Sequence, residues 1–69
     1  MKPYERRQKE AYPYFRLATW NSRLCVWHEG RAVFEMEAAA RNSASRPGRY
    51  RISRIDENGR TDLEPFDVN

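Results

Sequence analysis

The sequence predicts a small α+β domain of β-β-α-β-β order, in which an antiparallel sheet carries one helix packed on one face. Residues 14–28 and 49–68 hold β-prone, partly alternating segments joined by short turns, and an alanine-rich segment between them is typical of a helix. A chain of 69 residues has room for one core and no second domain. We expect a single α+β domain over residues 14–69.

Residues 1–13 are predicted to form a flexible N-terminal arm. Glu5 to Glu10 is a wholly polar run, and only Tyr4 and Ala11 offer apolar contacts to a core. Pro3 suits the first turn of a helix, but so thin an apolar stripe does not hold a helix against a domain.

The first predicted hairpin joins segments 14–20 and 23–28 through Asn21-Ser22, two residues that favour tight turns. A two-residue loop pairs Leu17 with Val26 and places an apolar set on one face. The opposite face then collects two tryptophans and two arginines around small residues: Arg16, Ala18, Trp20, Arg23, Cys25 and Trp27.

The one helix is predicted from Glu35 to about Ala44, where strong helix formers dominate and Pro47-Gly48 follows. It lacks a Ser, Thr, Asp or Asn immediately before its start. Spacing places four residues on its sheet-facing side: Met36, Ala39, Ala40 and Ser43. The preceding Ala32–Phe34 segment either extends a strand or leads into the helix.

The second hairpin begins with an alternating strand at residues 49–55, whose apolar side chains face inward while Arg49 and Arg51 face outward. Asn58-Gly59 then predicts a turn into a last strand over residues 61–68.

The last strand is predicted to lie at a sheet edge, or to be bulged, because Pro65 has no amide donor. Its register stays open. A three-residue loop pairs Leu63 with Ile55, a two-residue loop pairs it with Arg54, and we favour the former.

The residues that could do chemistry do not form a catalytic or metal-binding set. Cys25 and His28 are three apart, which on one strand puts them on opposite faces, and we interpret them as a buried thiol and an edge histidine. They are too few for a zinc site, and the isolated glycines build no phosphate loop. We therefore expect no enzyme activity, no metal and no cofactor.

The composition indicates a protein of a reducing compartment. The single cysteine cannot form an internal disulfide, and the sequence has no secretory signal and no apolar run of about 18 residues. We expect a cytoplasmic protein without a membrane partner.

The charge pattern favours binding as the function. The net charge is +3, eleven of the 13 basic residues are arginine, and residues 56–69 are acidic on balance. The predicted contact residues are those of the tryptophan-bearing face and the adjoining strand: Trp20, Trp27, Arg16, Arg23, Arg49 and Arg51.

Three interpretations of this face remain open. A protein partner or self-association is preferred, because the charge is mixed. Single-stranded or structured nucleic acid is the alternative, since bases stack on aromatic rings and arginines meet phosphates. In the third, Tyr4 or Tyr12 of the arm covers the tryptophans. No small-molecule substrate is expected.

Overall fold

The computed structural model describes residues 12–69, so the predictions for residues 1–11 lie outside the described part of the chain. That part holds one helix and five strands in a mostly antiparallel sheet, which confirms the α+β class. The elements are β1 (Tyr14–Asn21), β2 (Val26–Glu29), α1 (Glu37–Asn42), β3 (Gly48–Asp56), β4 (Gly59–Asp62) and β5 (Phe66–Val68). The order differs from the predicted β-β-α-β-β because the last strand is divided into β4 and β5.

The strands lie in the order β2-β1-β3-β4, and each neighbouring pair is antiparallel. β5 pairs with the beginning of β3, on the same edge as β4. Between β4 and β5, the Leu63 amide still donates to the Ile52 carbonyl at 2.8 Å, and Pro65 then lies in the break. The prediction that Pro65 marks an edge or a bulge is confirmed.

The first turn is longer than predicted, because β2 begins at Val26 and not at Arg23. Val26 pairs with Asn21, so the predicted pairing of Leu17 with Val26 is wrong. The side-chain oxygen of Asn21 accepts a hydrogen bond from the Leu24 amide at 3.0 Å and stabilises a turn over residues 22–25. The shift is an even number of residues, and every side chain of β1 therefore keeps its predicted face.

The second turn also differs from both predicted registers. Asp56 pairs with Gly59, which leaves Glu57 and Asn58 as the turn and pairs Ile55 with Arg60. The Asp56 carboxylate accepts a hydrogen bond from the Asn58 amide at 2.9 Å. Gly59 then adopts a φ of +129°, a conformation that L side chains rarely adopt.

The core lies between α1 and one face of the sheet. Phe15, Ala40 and Ile52 form its buried centre, and four further side chains pack against it: Leu17, Phe34, Leu63 and Phe66. Phe34 also exchanges two backbone hydrogen bonds with Phe15, at 2.7 and 2.8 Å. The segment before α1 is thus a lead into the helix, attached to β1 by a single bridge.

α1 is six residues long and shorter than the predicted helix. Met36 is its N-cap residue, has an extended backbone and no side-chain cap, and is 64% exposed, so its predicted place on the buried face is wrong. Ala39 and Ser43 are also exposed, and Ala40 and Ala44 are buried instead. Within residues 12–69, no helix has both the length and the apolar character needed to cross a membrane.

Candidate functional site

The sheet has two chemically different faces, because side chains alternate along each strand. One face packs against α1. The opposite face, which we call the concave face, carries mostly aromatic, charged and small side chains: Tyr14, Arg16, Ala18, Trp20, Trp27, Glu29, Arg49, Arg51, Ser53, Ile55, Arg60 and Asp62.

An ion pair shows that the sheet curls toward this second face. Glu29 lies on β2 and Arg60 on β4, and two strands separate them. On a flat sheet, three strand spacings would place their backbones about 14 Å apart. Their side chains nevertheless form an ion pair, so the outer strands bend toward each other over the concave face.

Two tryptophans and an arginine form the aromatic part of the concave face, and we call these residues the Trp/Arg cluster. Trp20 and Trp27 lie directly opposite each other on β1 and β2, with ring centroids 5.2 Å apart and planes tilted by 58°. The Arg51 guanidinium carbon lies 4.7 Å from the centre of a Trp27 ring, within the range of a cation–π contact. Both indoles are half-buried, so part of each ring remains accessible.

The structure places five of the six predicted contact residues on the concave face: Arg16, Trp20, Trp27, Arg49 and Arg51. Arg23 does not lie on a strand, because it belongs to the exposed turn after β1. Arg49 lies at the start of β3, and its Nε atom is 3.0 Å from an oxygen of Asp67. The hydrogen bond from Arg49 lowers the pKa of Asp67.

A polar network that the sequence analysis missed fills the middle of the concave face. Ser53 is fully buried and donates a hydrogen bond to Asp62 at 2.6 Å. Arg60 reaches three partners: it donates to Ser53 at 3.0 Å, to Asp62 at 2.9 Å, and to Glu29. No sequence pattern indicated these residues, because their meeting depends on the register of β4 and on the curl of the sheet.

Arg16 and Arg51 join this network at its margins. Arg16 donates to the Gly30 carbonyl at 2.9 Å, and its Nε atom lies 3.4 Å from Glu29. Arg51 lies 3.7 Å from Asp62. The Nε atoms of both arginines are buried and make no hydrogen bond to residues 12–69.

The concave face is therefore close to electrically balanced, and not strongly basic. Four arginines on or beside it, 16, 49, 51 and 60, are matched by three carboxylates, those of Glu29, Asp62 and Asp67.

Tyr12, the one candidate cover for the tryptophans within the described residues, stacks on Tyr14 with ring centroids 5.6 Å apart. Tyr14 and Trp20 point to the same face of β1 but are six residues apart, so Tyr14 lies at the far end of the concave face. Tyr12 therefore covers that end. The predicted cover by Tyr4 lies outside the described residues.

Cys25 does not have the position predicted for it, whereas His28 lies on the edge strand β2 as predicted. Cys25 is exposed and not buried, and it occupies the turn with a φ of +55°. His28 is exposed on β2, where its Nε2 atom lies 3.3 Å from the side-chain nitrogen of Asn21. Within residues 12–69, no three His, Cys, Asp or Glu side chains are grouped so that they could hold a metal ion.

A cleft of about 380 Å³ lies on the helix side, beside the end of β2. Leu17 and Phe34 contribute apolar walls, and Ser43 lies at its border. The Ser43 hydroxyl donates to the Ala40 carbonyl at 2.8 Å, which satisfies the polar group of that turn of the helix. Thr19 and His28 also line the cleft, and the Ser43 hydroxyl bonds to the helix backbone and not to His28.

Acid should weaken the network through Asp62. The pKa of Asp62 is lowered, first by the hydrogen bond from Ser53 and then by Arg60. A carboxylate with a lowered pKa stabilises the fold above its ordinary pKa of 3.8 and loses this contribution as the pH falls further. We predict that the free energy of unfolding, measured with urea, decreases from pH 5 to pH 3.

The variant Asp62→Asn isolates this contribution, because it removes the titrating carboxylate and keeps a similar shape. Its stability should decrease less steeply with acid than that of the wild type, by about 1 kcal/mol or less for such a solvent-accessible group. Identical acid dependence of the two proteins would contradict the prediction.

Comparisons of the chain with protein-family models, with curated proteins and with solved structures found no match.

Proposed function

We propose that this protein is a small non-enzymatic binding module that engages a protein partner through the Trp/Arg cluster. The observation that carries the proposal is the half-buried pair of Trp20 and Trp27 with Arg51 against it, on the sheet face away from α1. Tryptophan and arginine are the residues most enriched among those that dominate binding energy at protein interfaces. The cross-strand pair and the arginine hold these rings in place before binding, which lowers the entropy cost of association.

The charge of the concave face favours a protein over nucleic acid. Binding to a phosphate backbone draws its affinity from cations that neutralise phosphates. Here Arg16 and Arg60 both contact Glu29, and Arg51 lies near Asp62. The carboxylates would repel phosphates, whereas a protein surface of mixed charge can match both signs.

Nucleic acid is the second candidate, because of the same accessible indoles. Single-strand binders stack bases on aromatic side chains and place arginines beside them. Trp20, Trp27 and Arg51 supply both groups within one cluster.

Trp20 is the best position for a test of the proposed function, because it lies on β1, inside the sheet, and not at its edge. We predict that Trp20→Ala weakens binding to captured partner proteins about 30-fold, the loss expected for a central anchor of about 2 kcal/mol. The measurement is capture from nuclease-treated host lysate on immobilised full chain, followed by titration of the captured proteins.

Met36→Ala is the matched control, since it shortens an exposed apolar side chain at the start of α1, on the other face of the sheet. It should bind as the wild type does, and circular dichroism should show both variants folded. Equal binding by Trp20→Ala and the wild type would contradict the proposal.

The nucleic-acid candidate has its own measurement, a titration of tryptophan fluorescence with single-stranded oligonucleotides at low and moderate salt. Salt-dependent quenching, together with loss of every captured protein after nuclease treatment, would favour it over the protein partner. Unchanged fluorescence at both salt concentrations would exclude it.

A further inference from the structure

β2 presents backbone hydrogen-bonding groups at the edge of the sheet. The Gly30 amide donates to the Leu17 carbonyl at 2.9 Å, so the backbone groups of residue 30 point toward β1. Along a strand, these groups alternate in direction. Those of His28 therefore also point toward β1, and those of Trp27 and Glu29 point outward, where no other described strand pairs with them.

This edge lacks the features that keep other edges from pairing. The opposite edge of the sheet is divided between β4 and β5, with Pro65 in the break. β2 contains no proline and no lysine. Its one charged side chain, Glu29, is matched by Arg16 and Arg60, and Val26 is 41% exposed.

We propose that a second copy of this chain pairs with β2 in antiparallel orientation, across a two-fold axis at His28. This register places Trp27 of each chain opposite the partner's Glu29, and the outward groups of both residues form four N–H···O bonds. A two-fold axis at Trp27 would form only two such bonds within β2, those between the two copies of Trp27. The next outward-pointing pair would join Glu29 to residue 25 of the second copy, and Cys25 lies in the turn.

The side chains brought together in this register are complementary. Val26 lies opposite the partner's Gly30, a residue without a side chain that could collide with it. Trp27 lies beside the partner's Glu29, whose carboxylate is held by two arginines, so the indole approaches cationic groups. No two carboxylates are brought directly opposite each other.

The dimer does not depend on the proposed function, but it joins the surfaces that the proposed function uses. Opposed residues in an antiparallel pair point to the same side of the sheet, so the concave faces of the two copies become continuous. The two Trp/Arg clusters then lie on one surface. The contact involves five residues of each chain, 26–30, and is small, and we expect weak association in the micromolar range or above.

The first test is sedimentation equilibrium of the full chain over a range of micromolar to millimolar concentrations. The wild type should approach twice its mass of 8.3 kDa. His28→Lys places two lysines face to face at the axis and should raise the dissociation constant at least about 10-fold.

Thr19→Lys is the matched control. Thr19 is exposed, pairs with His28 on the same face, and lies one strand away from the edge. This variant adds the same charge and should dimerise as the wild type does. A wild type that stays monomeric at every concentration overturns the proposal, as does equal weakening by the two lysine variants.

The second test fixes the register by disulfide formation in a Cys25→Asn background, since asparagine tolerates the positive φ of this turn. His28→Cys should link two chains rapidly, because residues facing each other at the axis have Cα atoms about 5 Å apart. Val26→Cys should not, because the two copies of residue 26 lie about 13 Å apart along the strands. If the Trp27→Cys variant forms the disulfide-linked dimer and the His28→Cys variant does not, the proposed register is wrong.

The dimer and the proposed function can fail separately. Trp20→Ala should remain dimeric while losing its captured proteins, and His28→Lys should become monomeric while it still captures them. A monomeric wild type whose binding depends on Trp20 would reject the dimer alone.

Discussion

Ala40→Asp should leave the protein largely unfolded at room temperature, whereas Ala39→Asp should leave it folded. Ala40 is fully buried and belongs to the core with Phe15 and Ile52, so a carboxylate there would lie among apolar side chains and out of water. A buried unpaired charge costs at least about 3 kcal/mol. The 58 residues described here would have a total stability of roughly 3 to 9 kcal/mol at the usual value per residue.

Ala39→Asp is a close control because it introduces the same residue one position earlier in the same helix. Ala39 is exposed, and there the aspartate stays in water. Circular dichroism and urea unfolding should show a folded protein for Ala39→Asp and little or no unfolding transition for Ala40→Asp. Equal stability of the two variants would contradict the position of α1 on the sheet.

The sequence predicts which face carries the tryptophans because alternation survives an error in the turn. The true register of the first hairpin differs from the predicted one by an even number of residues, so Trp20 and Trp27 remain on the face opposite Leu17. The length of the turn could not be predicted from the turn preference of Asn21-Ser22, because it depends on a hydrogen bond from the Leu24 amide to the Asn21 side chain. Local side-chain bonding decided the turn length, and periodicity decided the face.

The charged network could not be predicted, because it needs contacts between strands that are distant in the sheet. Glu29 and Arg60 are 31 residues apart and lie on strands that are not neighbours. Their meeting requires the curl of the sheet, which no local pattern encodes. Asp62 and Ser53 lie on neighbouring strands, and their pairing depends instead on the register that the turn of Glu57 and Asn58 sets.

The predicted helix was too long for a related physical reason. Alanine and glutamate favour helix over residues 35–44, but propensity alone does not hold so short a helix in water. α1 persists where Ala40 is buried against the sheet, and it starts only after the uncapped Met36. Packing, and not composition, sets its length.

Ile52→Ala should reduce the free energy of unfolding by about 2 to 5 kcal/mol, because it removes most of a fully buried side chain from the centre of the core. Urea unfolding measures this loss. If Ile52→Ala is too unstable to study, Ile52→Val should cost about 0.5 to 1.5 kcal/mol. Val33→Ala, at a position 44% exposed, should cost far less than Ile52→Ala.

Arg51 precedes Ile52 on β3 and points to the other face of the sheet. Substitutions at these two neighbouring positions should therefore affect different properties, binding at Arg51 and stability at Ile52. Arg51→Ala removes a cation–π contact to Trp27 and an ion pair of 3.7 Å, and should cost about 1 kcal/mol of stability. It should nevertheless weaken capture of partner proteins about 10-fold, because it removes one member of the Trp/Arg cluster. Ile52→Val should lose stability and bind normally while it is folded. If Ile52→Val lost binding and Arg51→Ala kept it, the contact surface would lie on the helix side of the sheet and not on the concave face.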